Sequence, residues 1–237
     1  VGTAGILESR GYRFGVENAN RHTGEQNRLN SKMPACSLII VSYGSAWWKQ
    51  AGDERALPSA RAQGDYEIIR IHRDDPNTNL CSLRNQAVVQ ATSDHVVVLD
   101  ADDELEPGYV DAMLAASGDI RYPKIRVLSE PNETPLPAPY EIDARPIWEG
   151  NYVIVGAMMR RDMFLNLGGY DPELEYAEDW DFYIRAFFAG ASFQFVAHAT
   201  YRQNWRLNSR NQNPDGERLR QQIRDRYSKL AKEAGLI

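Results

Sequence analysis

Val96-Val97-Val98-Leu99-Asp100-Ala101-Asp102-Asp103 decides how this chain is read: a short apolar run breaks off into three carboxylates within four positions. The β-branched run predicts a buried strand, which puts the acids just past its C-terminal end. That rim is where open α/β sheets bind ligands. Carboxylates this close repel one another unless a cation or a dense set of donors offsets their charge. A hard divalent ion, Mg²⁺ or Mn²⁺ bridging to a diphosphate, would do so. Two plainer readings compete. The acids could form a solvated loop that opens the next helix, since Asp and Glu favour a first turn. They could also belong to an EF-hand calcium loop, but Leu105 stands where that loop's sharp turn needs glycine.

Outward from this strand the pattern alternates. Upstream, Ser37 to Tyr43 reads as a buried strand ended by Gly44, and Trp47 to Ala62 as a helix limited by Pro58. Tyr66 to Ile71 is a second strand, followed by a polar loop from His72 to Thr78. Asn79 can cap a helix that carries Leu80, Leu83 and Ala87 at helical spacing. Strand, helix, strand, helix, strand predicts a mostly parallel sheet with right-handed crossovers. Downstream, the proline-rich stretch Pro131 to Pro146 is expected to be an irregular loop bordering a site. Asn151 to Met159 reads as a strand, and Arg161 to Leu167 as a short helix stopped by Gly168-Gly169. From Glu178, residues Trp180, Tyr183, Ile184, Phe187 and Phe188 recur at helical spacing until Gly190.

A chain of 237 residues can bury the core of one sizeable domain. No apolar stretch approaches the roughly 18 residues of a membrane span, and no signal-peptide pattern opens the sequence. A soluble, cytoplasmic protein is expected. Residues 1–32 are polar and aperiodic and are read as a leader outside the fold. Cys36 and Cys81 lack metal-ligand spacing and read as buried thiols, and the histidines show no paired-ligand spacing, so zinc chemistry is not expected. The net charge of −6 argues against a nucleic-acid coat, yet the chain beyond Thr200 is locally basic. A solvated helix face accounts for most of that, while its early members could meet phosphates.

A second acidic group, Glu178 and Asp179, falls at the start of the last predicted helix. Capping and the helix dipole give the plain explanation. The functional alternative is a carboxylate whose proton affinity is raised by its acidic neighbour and partial burial, able to accept a proton from a hydroxyl nucleophile. Asp181, four residues before Arg185, is explained by a surface ion pair.

In register, these segments resemble the inverting glycosyltransferases of family 2. Ser37 to Tyr43 is similar to that family's opening strand, and Leu83-Arg84-Asn85 to its Ala-Arg-Asn helix. Leu99 to Asp103 resembles its Asp-X-Asp metal motif. Gly168-Gly169-Tyr170-Asp171 and Glu178-Asp179-Trp180-Asp181 resemble its Gly-Gly-Phe-Asp and Glu-Asp-Trp-Asp pair. The resemblance implies an α/β fold of GT-A type, Rossmann-like, with a mostly parallel sheet flanked by helices in a single domain over 33–212, and a basic C-terminal helix over 213–237.

It further implies a nucleoside diphosphate sugar donor, a UDP-sugar first, and Mn²⁺ or Mg²⁺. Asp102 would bind the ion together with Asp100, which would also hold the ribose or donor sugar. Ser42, Tyr43, His72, Arg73 and Arg84 would line the donor site. Asp179 would activate the acceptor hydroxyl for in-line attack with inversion, supported by Glu178. Two departures stand out. His72-Arg73-Asp74-Asp75-Pro76 replaces the family's Asp-Asp-Gly-Ser turn, so either Asp74-Asp75 takes over that role or base recognition falls to His72 and Arg73. Where many relatives carry a histidine after Tyr-Arg, Tyr201-Arg202 is followed by Asn204, Trp205 and Arg206. Arg206 would bind phosphate through its planar fork, and His198 is the substitute candidate for the metal.

A catalytically silent nucleotide-sugar binding module of the same fold is the alternative. A sugar nucleotidyltransferase is disfavoured, because Ser42 to Ala46 holds one glycine and no basic residue where a phosphate loop would lie. The sequence does not name the acceptor. Trp148 and Trp180 could stack on a sugar or pack in the core, and the basic tail leaves a nucleic-acid acceptor open.

Overall fold

The computed structural model describes residues 34–129, 134–136, 146–174, 176–206 and 214–237. Strand β1 (Cys36–Tyr43) pairs in parallel with β2 (Glu67–Arg73) on one side and with β3 (His95–Asp100) on the other. The apolar runs of β1 and β3 are continuous because both faces of this sheet are covered. Ile39, Val41, Val96 and Val98 point to one core, while Leu38, Ile40, Val97 and Leu99 point to the other.

From β1 the chain runs through α1 (Ala46–Ala51), a π-helical turn at Gly52–Ala56, and α2 (Leu57–Arg61) before reaching β2. Pro58 does not stop this segment. It lies in the first turn of α2, just after the wider π turn, where its missing amide is tolerated. Helix α3 (Leu80–Gln90) follows, with the Asn79 side chain accepting from the Ser82 amide at 2.9 Å as expected of a cap.

After β3 come β4 (Glu104–Leu105), α4 (Tyr109–Ala115), β5 (Ile120–Ser129), β6 (Thr134–Leu136) and β7 (Met158–Arg160). Helices α5 (Arg161–Asn166) and α6 (Glu178–Phe188), strand β8 (Phe193–Trp205) and helix α7 (Gly216–Glu233) complete the fold. Among the described residues the sheet has eight strands in the order β2-β1-β3-β7-β5-β8-β4, with β6 beside β5. β7 joins the parallel β2-β1-β3 half to the parallel β5-β8 pair by running antiparallel to both β3 and β5.

Three local expectations change. Of the strand expected over Asn151 to Met159, only Met158–Arg160 pairs. The apolar residues before it are buried without a ladder because other groups satisfy their backbone: the Ile154 carbonyl accepts from the Tyr183 hydroxyl at 2.7 Å and from the Ala157 amide at 3.1 Å, and the Gly156 carbonyl accepts from the Tyr109 hydroxyl. Within Pro131 to Pro146, residues Thr134–Leu136 form a strand, and the remainder, apart from Pro146, lies outside the described residues. Asp181 is no surface residue. It is buried with Arg185 at 2.8 Å, because their helix is covered on that side by α7, whose Tyr227 hydroxyl donates to Asp181 at 2.5 Å.

Trp148 and Trp180 are core residues, with the Trp180 indole N–H donating to the Ile147 carbonyl at 2.5 Å. Helix α7 packs Ile223, Tyr227, Leu230 and Ala231 into the same core as α6, while several of its arginines pair locally, Arg218 with Asp215 and Arg220 with Glu217. Cys36 and Cys81 are free, buried thiols. Among the described residues no helix is long and apolar enough to cross a membrane. Residues 1–32 lie outside the described residues.

Candidate active site

The parallel register gathers the candidate donor residues. Val41 lies opposite Asp100, Ser42 opposite His72, and Tyr43 opposite Arg73, so the C-terminal ends of three strands form one rim. Ser42 is buried there. Its Oγ accepts from Arg70 Nη1 at 2.9 Å and is hydrogen-bonded to His72 Nδ1, also at 2.9 Å. His72 Nε2 lies 3.3 Å from Asp74 Oδ1. Arg73 is exposed at the strand end.

The three carboxylates of the opening stretch have three different environments. Asp103 is an anchor: its oxygens accept from the Tyr201 hydroxyl at 2.9 Å and the Asn204 amide at 2.8 Å, tying the loop to β8. Burial and the neighbouring Asp102 and Asp100 push its carboxyl well above the usual range. Asp102 accepts from Arg206 Nη2 at 2.7 Å. Burial and then the charge of Asp100 raise its proton affinity, and Arg206 opposes them. Asp100 keeps 37% of its side chain exposed and pairs with Arg84.

Arg84 connects the two acidic groups. Its buried guanidinium donates to Asp100 through Nη2 and to Glu178 Oε1 through Nη1 at 2.6 Å. Asn85, next on the helix, holds the Gly-Gly turn by accepting from the Tyr170 amide at 2.9 Å and donating to the Tyr170 carbonyl at 2.8 Å. Glycine is required at 169: φ is +69°, and an added Cβ would come within 2.6 Å of Asn85 Oδ1. From the other side Arg185 donates to the carbonyls of Leu167 and Gly169, both at 2.7 Å. The resembling segments thus form one connected frame.

At the start of α6, Ala177 is the one non-glycine residue with positive φ (+57°) among the described residues. Such strain is held in place by its surroundings and tends to collect at functional sites. The next two residues are Glu178, facing Arg84, and Asp179. Burial, followed by the charge of Glu178, pushes the Asp179 carboxyl up to about 7, against the pull of the Trp180 amide and Arg84. A carboxylate held there can exchange a proton with a hydroxyl near neutrality.

His198 does not join the rim. It is exposed at an irregularity of β8, where the register with β5 shifts between Pro123 and Lys124 and leaves residues 197–199 out of the ladder. Among the described residues no three His, Cys, Asp or Glu side chains converge as a metal-holding group. Asp100 and Asp102 still suit Mg²⁺ or Mn²⁺ in kind. They are hard oxygen donors, each already drawing a cation, and such ions take their remaining ligands from phosphate and water.

Sequence reading passed over Trp47 and Trp48 at the start of α1. The Arg206 guanidinium carbon lies 3.9 Å from the centroid of the Trp47 ring and 4.8 Å from that of Trp48. An aromatic pair directly after a rim strand was the available signal. Its partner lies at the far end of β8, which local pattern does not reach.

The family profile described as "Glycosyl transferase family 2" matches residues 53–168, from the π turn through the rim carboxylates to the first glycine of the Gly-Gly turn. "Uncharacterized glycosyltransferase YwdF" of Bacillus subtilis (strain 168) is 30% identical over 131 residues, 50% of this chain and 48% of that protein. "Succinoglycan biosynthesis protein ExoU" of Rhizobium meliloti (strain 1021) is 26% identical over 196 residues, 74% of this chain and 55% of that protein. The chain thus spans about half the length of these curated relatives. Among solved structures, S. aureus TarS 1-349 in complex with UDP-GlcNAc superposes with a TM-score of 0.55 at 14% identity, covering 83% of this chain and 72% of that one. The profile runs through the rim and the sheet is shared with TarS, so residues 53–168 are similar to glycosyltransferase family 2 and the chain has the GT-A fold.

Proposed function

We propose that this chain transfers a sugar from a nucleoside diphosphate sugar, a UDP-sugar first, to an acceptor hydroxyl with inversion, using Mn²⁺ or Mg²⁺. The observation that carries the reading is Arg84. One buried guanidinium binds both Asp100 and Glu178, so the donor rim and the candidate base share one charge network. The TarS structure with UDP-GlcNAc supports the choice of donor.

In this reading Asp102 and Asp100 would hold the divalent ion, which when bound neutralises charge on the departing diphosphate. Ser42, Tyr43, His72 and Arg73 line the nucleotide end of the rim. Arg84 fixes Asp100 on one side and Glu178 on the other. Glu178 raises the proton affinity of Asp179, and Asp179 takes the proton from the acceptor hydroxyl as that oxygen attacks the anomeric carbon from the face opposite the leaving group. The silent binding module is favoured by two departures, the altered turn from His72 to Pro76 and the missing histidine after Tyr201-Arg202.

Incubation with Mn²⁺ and each UDP-sugar, followed by assay of released UDP, separates the two. Slow metal-dependent release supports the transferase; tight binding without release supports the module. Asp102→Ala should abolish metal-dependent UDP binding, and undiminished binding would remove the metal assignment.

A further inference from the structure

Helix α7 holds the segment around the candidate base from two sides. On the upstream side Arg220 Nη1 donates to the Tyr176 hydroxyl, and the guanidinium carbon lies 5.4 Å from the centroid of the Tyr176 ring. The same arginine is tied to its own helix, with Nε donating to Glu217 at 3.0 Å. The Tyr176 ring also lies against the first turn of α7, since a Cβ at Gly216 would fall 3.4 Å from Tyr176 Cζ. On the downstream side the Tyr227 hydroxyl donates to Asp181 at 2.5 Å. Between the two attachments stand Ala177, Glu178 and Asp179.

Ala177 is the strained member of this group, with φ +57° and ψ +33°. Left to itself an alanine prefers the right-handed region by about five- to thirtyfold, because the left-handed one brings its Cβ too close to the following carbonyl oxygen. Such a conformation persists only where its surroundings hold it. After Ala177 the hold is Glu178, buried and bonded to Arg84 at 2.6 Å. Before it the hold is Tyr176, bonded to Arg220. With both neighbours fixed, Ala177 cannot turn back. With Tyr176 released it can, and the turn carries the start of α6, and Asp179 with it, out of place. We propose that the Arg220–Tyr176 contact is a latch on the base: the two are positioning residues that keep Ala177 left-handed and so hold Asp179 beside Glu178. This rests on the reading of Asp179 as the base, and it brings the C-terminal helix into the control of turnover.

The test is steady-state release of UDP, with Mn²⁺ and the UDP-sugar that wild type turns over, alongside calorimetry of UDP binding. Arg220→Ala should lower kcat by about five- to thirtyfold and leave UDP affinity within about twofold. Tyr176→Phe keeps the ring and removes the hydroxyl, so it should also lower kcat, and the double variant should be no slower than the slower single one. Arg220→Lys can still donate to the hydroxyl and should recover most of the loss. Glycine takes up the left-handed region about as readily as the right-handed one. In an Ala177→Gly background Arg220→Ala should therefore cost about twofold at most, a rescue that simple loosening of α7 would not give. A kcat for Arg220→Ala within about twofold of wild type, or a loss that persists in full beside Ala177→Gly, overturns the latch and leaves the base reading intact. If Asp179→Asn leaves turnover unchanged, or wild type releases no UDP, the base reading itself fails and the latch fails with it.

Discussion

Asp179 and Asp102 are both carboxylates near other acids, and their surroundings fit them for different work. Among the described residues no cation is in direct contact with Asp179, and burial next to Glu178 pushes it up to about 7. Asn at this position removes the proton acceptor and keeps the shape. Asp179→Asn should therefore lower kcat by roughly 10²–10⁴-fold while UDP affinity stays within a factor of about two, as steady-state kinetics and calorimetry would measure. The sign of the pH dependence follows. The raised value leaves Asp179 protonated below about 7, so turnover should be full above neutrality and fall about tenfold per pH unit on the acid side. An acid limb near 4 would acquit Asp179. Asp102, Asp179 and Arg84 were legible as residue types at motif spacing. Asp181 was not: spacing of i and i+4 pairs it with Arg185 on any helix, and only the covering helix α7 makes the pair buried.

At the scale of elements, the buried Asp181–Arg185 pair joins α6 to both the Gly-Gly turn and α7. Removing one partner strands the other in the core. Asp181→Ala should cost about 3–5 kcal/mol in urea unfolding, and a cost under about 1 kcal/mol would show that water reaches Arg185. Ala177 offers the opposite sign. Its left-handed backbone strains an alanine, so Ala177→Gly should be neutral or stabilise by up to about 1 kcal/mol, measured by the same unfolding. The strands β1, β2 and β3 were readable because their apolar runs and flanking polar residues are local signals. The stretch before β7 misled because Val153 and Val155 are as apolar as a strand, yet they serve a buried irregular segment whose carbonyls accept from tyrosine side chains. Sequence periodicity reports burial more directly than it reports hydrogen-bond pattern.

For the whole molecule, two cores on opposite faces of one sheet make ligand binding at the rim a stabilising event for the entire domain. UDP with Mn²⁺ at about a hundred times its Kd should add about 2.7 kcal/mol and raise Tm by roughly 5–10 °C, with a smaller rise for UDP alone. An equal shift with and without metal would count against ion-bridged binding. The parallel pairing of the early strands followed from alternation of strand and helix. The meeting of β8 with the carboxylate loop did not, because Tyr201, Asn204 and Arg206 lie far along the chain from Asp102 and Asp103.

That distant meeting also makes one inconspicuous position intolerant. A Cβ at Gly156 would fall 2.2 Å from the ring of Tyr201, the tyrosine whose hydroxyl steadies Asp103. In a saturation survey of the gene, position 156 should therefore score as harshly as the carboxylates themselves, and a reader of such scores would be wrong to infer that this glycine touches a sugar.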